Sequence, residues 1–326
     1  MIGIISYLVF FATVAGILSI AVLGLNLQWG NTGLFNGGVV AFFGAGAYGT
    51  LILGGTAQAD HLGGFELPYL LALLGGMVIA GLMAWLVGVL TLRLRHDYLA
   101  IATFGVAVAF ENLMRNAEGL AGGAKGLRGF ERPLRAWLGD GFSYNLLFLA
   151  FVLVLLIATY LFLETLIRSP FGRLLRAIRE DETAAQSLGK SPSRVRLISF
   201  ITGSVIMGLA GGLYATFYAF ISPQDVLPIL TFQIWAMLIV GGAGNNRGAI
   251  AGAFLIWGAW TASGWALSRF APLDVQLYTG SIQFILIGFV IVGMLLWRPQ
   301  GLFPERLVVS QSRRTKDVSQ SGRRKT

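Results

Sequence analysis

The residues of this chain that could do chemistry are few, and most are basic. Arg168 to Arg196 reads RSPFGRLLRAIREDETAAQSLGKSPSRVR and holds seven of the 24 Lys and Arg. Within it, Leu188-Gly189-Lys190-Ser191 ends like a phosphate-binding loop, whose amides and lysine would cradle a nucleotide. That motif requires G-x-x-x-x-G-K-S/T. Ala184 stands where the first glycine is needed and no strand-like run precedes it, so this loop binds no nucleotide. A second candidate is Glu111 with Arg115 at i+4, inside an apolar run. A charge there is costly, and it faces a cavity or a partner. A satisfied ion pair near the outer end and a place on a solute pathway both fit it. The chain has no cysteine, no H-E-x-x-H and no G-x-S-x-G, and no acid pair at helical spacing lies within a span. Cysteine and metal-hydrolase chemistry are therefore excluded, and no cofactor is expected. His61 and His96 fall in loops.

The elements that carry these residues are membrane-length. The chain is 56% hydrophobic and 12% charged, with mean hydropathy +0.73, whereas a soluble domain has about a quarter charged residues. Nine spans are expected, near 4–25, 33–56, 67–91, 98–115, 143–165, 197–220, 226–241, 248–268 and 276–297. The seventh is short and the 241–248 boundary is glycine-rich, so the range is eight to ten. The fold class is all-α and polytopic, because the runs are continuous rather than alternating as in a barrel. With 44 glycines, close helix packing through small residues is expected; Gly33/Gly37, Gly208/Gly212 and Gly248/Gly252 have the spacing. The first run has no preceding basic residue and no small-residue cleavage pattern, so it reads as a retained helix.

Orientation follows the basic residues. The 168–196 loop and the tail from Arg298 hold 15 of the 24, which puts both in the cytoplasm. Four spans separate them, an even number. The N-terminus then lies outside, and so does the 116–142 loop, despite Lys125, Arg128, Arg132 and Arg135. The membrane body runs from 1 to 303. Residues 304–326 read as a disordered basic tail held against anionic lipid, with no role for nucleic acid.

The 168–196 loop has its own grammar. Ser169-Pro170 is a helix start. Phe171, Leu174, Leu175 and Ile178 form one apolar stripe, with Arg173, Arg176 and Arg179 beside it, and Arg176 can pair with Glu180. Gly189 suits a left-handed helix end, and Ser191-Pro192 launches the next span. The unit reads as an amphipathic helix over 171–188, a glycine turn and a fresh helix. A helix lying on the membrane surface and a docking helix for a cytoplasmic partner both satisfy this pattern.

Glu182-Thr183-Ala184-Ala185-Gln186-Ser187-Leu188-Gly189 resembles the E-A-A-x-x-x-G loop of ABC importer permeases. The fuller stretch FGRLLRAIREDETAAQSLG resembles the LivM-type permeases of branched-chain amino acid importers. The resemblance extends through 26–48, 92–105, 119–129, 210–224, 234–253 and 298–303. It implies a pore shared with a second, homologous LivH-type permease, two cytoplasmic ATPase subunits that bind the ATP, an external solute-binding protein, and a bacterial inner-membrane location. It places Glu182, Ala184, Ala185 and Gly189, with Arg173 and Arg176, at the ATPase contact. Where that family often has T-L-G-x-x-E, this chain has Val108, and Glu111 comes one turn later. Relatives that carry urea, short amides or neutral amino acids all remain within the resemblance. Pathway candidates are Glu111, together with Asn31 and Gly33 and with Gly122, Gly123 and Gly126, where backbone amides could approach a carboxylate. Tight turns and close packing are the other reading of these glycines. An ion-coupled secondary transporter would need intramembrane acids or histidines that the spans lack, and a channel would leave the docking loop without a use.

Overall fold

The computed structural model describes residues 2–56, 63–94, 96–128, 141–298 and 300–305; of Ile2, His96, Asp97 and Leu273 only the backbone is described. Arg132, Arg135, His61 and the tail beyond Glu305 lie outside the described residues. The chain is all-α. Its long helices are α1 (Ile2–Asn26), α2 (Val39–Gly54), α3 (Tyr69–Thr91), α4 (His96–Asn116), α6 (Phe142–Arg168), α9 (Pro192–Tyr218), α10 (Ile229–Gly241), α11 (Asn246–Phe270) and α13 (Thr279–Trp297). Short helices are α5 (Glu118–Ala121), α7 (Pro170–Glu180), α8 (Glu182–Ser187) and α12 (Leu273–Gln276). Each span expected from sequence is a helix. Among the described residues six are long and apolar enough to cross a bilayer, α2 and α10 are shorter apolar helices, and α4 falls in neither group.

α2 is short and enclosed by protein. Val39 to Leu51 are all buried, packed against α3 and α9; a helix apolar all round belongs in a core. Glycine makes the approach possible. A Cβ on Gly46 would strike the Gly208 backbone, and one on Gly211 would strike the Phe43 carbonyl. Gly248 and Gly252 meet Gly241 in the same way, joining α10 to α11. The expected Gly33/Gly37 pair is different: Gly33 has φ +74 and is not helical.

The expected span at 33–56 is corrected at its start. α1 widens into a π-turn over Leu27–Asn31, the chain then runs irregularly, and α2 begins only at Val39. Polar side chains cause the interruption. Gln28 Nε2 donates to the Phe200 carbonyl at 2.8 Å and to Ser204 Oγ at 3.1 Å. Its Oε1 accepts from Asn36 Nδ2 at 2.8 Å. Asn36 Oδ1 accepts from Gly38 N at 2.8 Å, and Trp235 Nε1 donates to the Asn36 carbonyl at 2.9 Å. These side chains satisfy backbone groups that a continuous helix would otherwise pair, which membrane-depth protein demands.

Candidate functional site: the docking helices and the face that holds them

Ser169 starts α7 as its sequence promised: its Oγ accepts from Phe171 N at 3.2 Å and Gly172 N at 3.4 Å, with Pro170 in the first turn. Leu175 and Ile178 are buried, while Arg173 and Ala177 are exposed. The expected single helix over 171–188 is instead two. Asp181 is extended, at φ −151°, and its carboxylate accepts from Ala184 N at 3.0 Å and from Thr183 Oγ1 at 2.6 Å, capping α8. An Asp that binds its own downstream backbone competes with helix continuation. At the other end Gly189, φ +72, donates to the Gln186 carbonyl at 2.9 Å, and Lys190 N donates to Ala185 O at 3.2 Å. That paired closure requires a left-handed residue.

The Thr183 hydroxyl and the Ala184 N–H hold the Asp181 carboxyl below its usual range. A carboxylate with lowered folded pKa stabilises above its unfolded value and loses that contribution as pH falls through the folded one. The cap should therefore persist at neutral pH and fail only in acid. Asp181→Ala should lose amide protection over Ala184–Ser187 at neutral pH, read by hydrogen exchange, and Asp181→Asn, which keeps an acceptor, should retain it.

The other expected docking residues divide. Ala184 is exposed and Ala185 buried. Glu182 is engaged within the chain, its Oε2 2.9 Å from Arg196 Nη1 on α9, where Arg196 is only 11% exposed. The expected Arg176–Glu180 pair is not formed among the described residues: Arg176 lines a crevice with Glu164, Arg168 and Arg247 instead.

Sequence reading missed the group that fixes this unit. Arg179 donates to the Gly30 carbonyl at the end of the α1 π-turn, and its Nη2 meets Glu305 Oε1 at 3.1 Å and Oε2 at 2.9 Å. The segment after α13 returns to the same place, since Leu302 N donates to Val240 O and Phe303 N to Gly241 O, both at 3.0 Å. Glu305, assigned to the tail from sequence, is thus held in the fold. Asn26 joins in: its Nδ2 donates to Asn246 Oδ1 at 2.9 Å and its Oδ1 accepts from Gly244 N at 2.8 Å. Asn26, Gln28 and Asn36 could have been noticed as amides in a greasy context; the Arg179–Glu305 pair leaves no local signal.

The pathway candidates lie at opposite ends of the molecule. Asn31 Nδ2 donates to the Asn26 carbonyl at 3.1 Å, and Gly33 abuts the Arg179 side chain, so both sit at the α7 end. Gly122, Gly123 and Gly126 follow α4 at the other end. There Leu127 bridges Ile221, just past the end of α9. Glu111 is 6% exposed and accepts from Arg115 Nε at 2.8 Å, also near that end. The first part of the 116–142 loop therefore packs on the face opposite α7 and α8, as the orientation scheme requires. Arg179 and Glu305 likewise put α7, α8 and Glu305 on one face.

The profile of a family described as "Branched-chain amino acid transport system / permease component" matches residues 7–295. The chain belongs to that family. LivM of Salmonella typhimurium, named a high-affinity branched-chain amino acid transport system permease protein, is 32% identical over 314 residues, covering 90% of this chain and 69% of the relative. A probable LivM of Methanocaldococcus jannaschii is 25% identical, covering 94% and 96%. A probable LivH of the same organism is 34% identical over 109 residues, about a third of each chain (32% and 32%). No solved structure matches. The chain is a multi-pass membrane protein and a permease subunit of an ABC importer rather than an enzyme, and α7–α8 is the part of this permease that its family resemblance assigns to docking.

Proposed function

We propose that this permease carries branched-chain amino acids across the cytoplasmic membrane, the inner membrane in a bacterium, powered by two separate ATPase subunits gripping α7–α8. One observation supports this above the others: two capped helices, tied to the bundle through Glu182–Arg196 and Arg179–Glu305, present a small, exposed face. Ala184 and Leu188, the latter 79% exposed, lie on it. An exposed leucine beside an alanine suits insertion into an apolar groove. The surface-helix reading would turn these residues toward lipid, yet the buried stripe Leu175/Ile178 already faces the bundle. In this orientation α7, α8 and Glu305 are cytoplasmic, and the α1 N-terminus and Gly122–Leu127 are outside.

ATP-driven closure of the ATPase pair would push α7–α8. Because Arg179 binds the π-turn at the end of α1, that push passes directly into α1 and the polar break before α2. Two-state rocking around a broken helix is how such bundles alternate access. A cavity of about 680 Å³ between α4, α10 and α13 is lined by Phe35, Phe104, Thr231, Phe232, Trp235 and Ile291. Its apolar, aromatic wall suits an aliphatic side chain. A second, LivH-type permease would close it, and an external solute-binding protein would deliver the solute to the Glu111/Gly122–Gly126 end.

Ala184→Arg and Leu188→Glu test the docking face without touching the packing, since both residues are exposed. Each should reduce co-purification of the ATPase subunits with this chain by about tenfold, the result of losing ~1.4 kcal/mol at an interface hot spot. Gly189→Arg and Glu182→Lys should act through the turn and the Arg196 pair. An unaltered complex in all four would sink the docking assignment. Ligand binding to the partner solute-binding protein, with leucine, isoleucine and valine set against urea and short amides, decides the substrate.

A further inference from the structure

At the docking-helix end a crevice of about 560 Å³ opens between the last turns of α6, α7, the α10–α11 turn and residues 303–305. It is lined by three arginines, Arg168, Arg176 and Arg247, two glutamates, Glu164 and Glu305, and Tyr160. The glutamates are already matched. Glu164 Oε1 accepts from Arg168 Nε at 3.0 Å and Nη2 at 2.7 Å, and its Oε2 accepts from Asn246 Nδ2 at 3.3 Å. Glu305 is taken by Arg179. Arg247 spends one donor, Nε, on Tyr160 Oη at 3.2 Å, and Arg176 makes no ion pair among the described residues. The crevice therefore holds two guanidinium groups with unspent charge, one on the docking helix and one on α11. The capped N-terminus of α11, where Asn245 Oδ1 accepts from Arg247 N at 3.0 Å, adds its positive end.

The level of the crevice says what fills it. On α6, Val154, Ile157 and Leu161, within two turns of Tyr160, are 63%, 56% and 56% exposed, an apolar strip that suits lipid tails. Tyr160 then stands at the height where tyrosines mark the membrane–water boundary. Arginine in a fork geometry suits a phosphate diester, and basic pockets between helices at this depth bind anionic head groups.

We propose that this crevice binds the phosphate of an anionic glycerophospholipid between Arg176 and Arg247, with its acyl chains along Val154, Ile157 and Leu161. The bound lipid clips α7 to α11, so the docking helix is held from the lipid side as Arg179 holds it from within. Arg176 then serves lipid, while Arg173 remains on the exposed docking face.

The full chain, delipidated in detergent, is supplied with phosphatidylglycerol, phosphatidylcholine or inorganic phosphate, and its thermal unfolding is followed. Phosphatidylglycerol should raise Tm above the phosphatidylcholine value by roughly 5 °C, the scale of a well-occupied site. Arg176→Gln/Arg247→Gln should unfold like the wild type in phosphatidylcholine yet lose that difference, and Arg173→Gln should keep it. Arg176→Gln alone, which breaks no hydrogen bond or ion pair among the described residues, serves if the double variant fails to fold. The proposal is overturned if the phosphatidylglycerol advantage persists without the arginines, or if Arg173→Gln abolishes it equally. Inorganic phosphate matching the lipid would overturn the lipid assignment in favour of a free anion.

Discussion

Gly211→Val should prevent stable folding of the permease, and Gly211→Ala should cost about 2–3 kcal/mol, at the upper end for overpacking because the obstacle is backbone. A Cβ at Gly211 would meet the Phe43 carbonyl, and Ala47 N stands at 3.1 Å, so no rotamer change can make room. Gly46, facing the Gly208 backbone across the same α2–α9 contact, should behave alike. α2 is enclosed, so displacing it disturbs its packing against α3 as well as α9. Gly293→Ala on α13 is the control: nothing lies within 4 Å of its Cβ position, and alanine there should be neutral or gain up to ~1 kcal/mol from helix propensity. Thermal unfolding in detergent, followed by size-exclusion recovery, reads all four variants. Gly211→Ala matching wild type would mean that α2 and α9 do not pack as described.

Arg179→Ala should uncouple the importer more than it destabilises the fold. Arg179 and Glu305 side chains are 25% and 24% exposed, so screening reduces what the pair contributes; about 1–2 kcal/mol of stability is expected. The functional effect is larger because Arg179 is the direct tie from α7 to the end of α1. In the reconstituted complex, transport per ATP hydrolysed should fall about tenfold, within the 5–150-fold range of typical coupling energies. Arg179→Lys should recover part of it, since an ammonium can reach one partner but cannot fork between the Gly30 carbonyl and the Glu305 carboxylate. Glu305→Ala should reproduce a share of the defect, and the double variant should be non-additive. Equal transport stoichiometry in Arg179→Ala and wild type would show that the push does not travel through this contact.

Both expectations come from residues whose partners are distant in sequence, and that marks where sequence reading stopped. The helices were legible because lipid leaves a span few options: every backbone group must be paired within it, so a long apolar run is a helix. The caps were legible because Ser169-Pro170 and Gly189 act on neighbours within a few residues. The Glu111–Arg115 pair was legible for the same reason. The single helix over 171–188 failed at Asp181, where a local side-chain bond to Ala184 N won over continuation. The signal was present in the Asp-Glu-Thr sequence, but the apolar stripe ended before it and gave no warning.

The sequence by itself determined the class of protein, the places of its long helices, the shared face of the 168–196 loop and the C-terminal segment, and the family. These depend on composition, on runs and on short spacings, all properties of contiguous residues. Only the tertiary structure decided that α2 is an enclosed helix, that α1 breaks into a π-turn around Gln28, and that Arg179 binds Gly30 and Glu305. Those facts rest on hydrogen bonds between residues as far apart as 220 positions, as for Asn26 and Asn246. No periodicity encodes such a pairing; it exists only once close-packed glycines have brought the helices within reach.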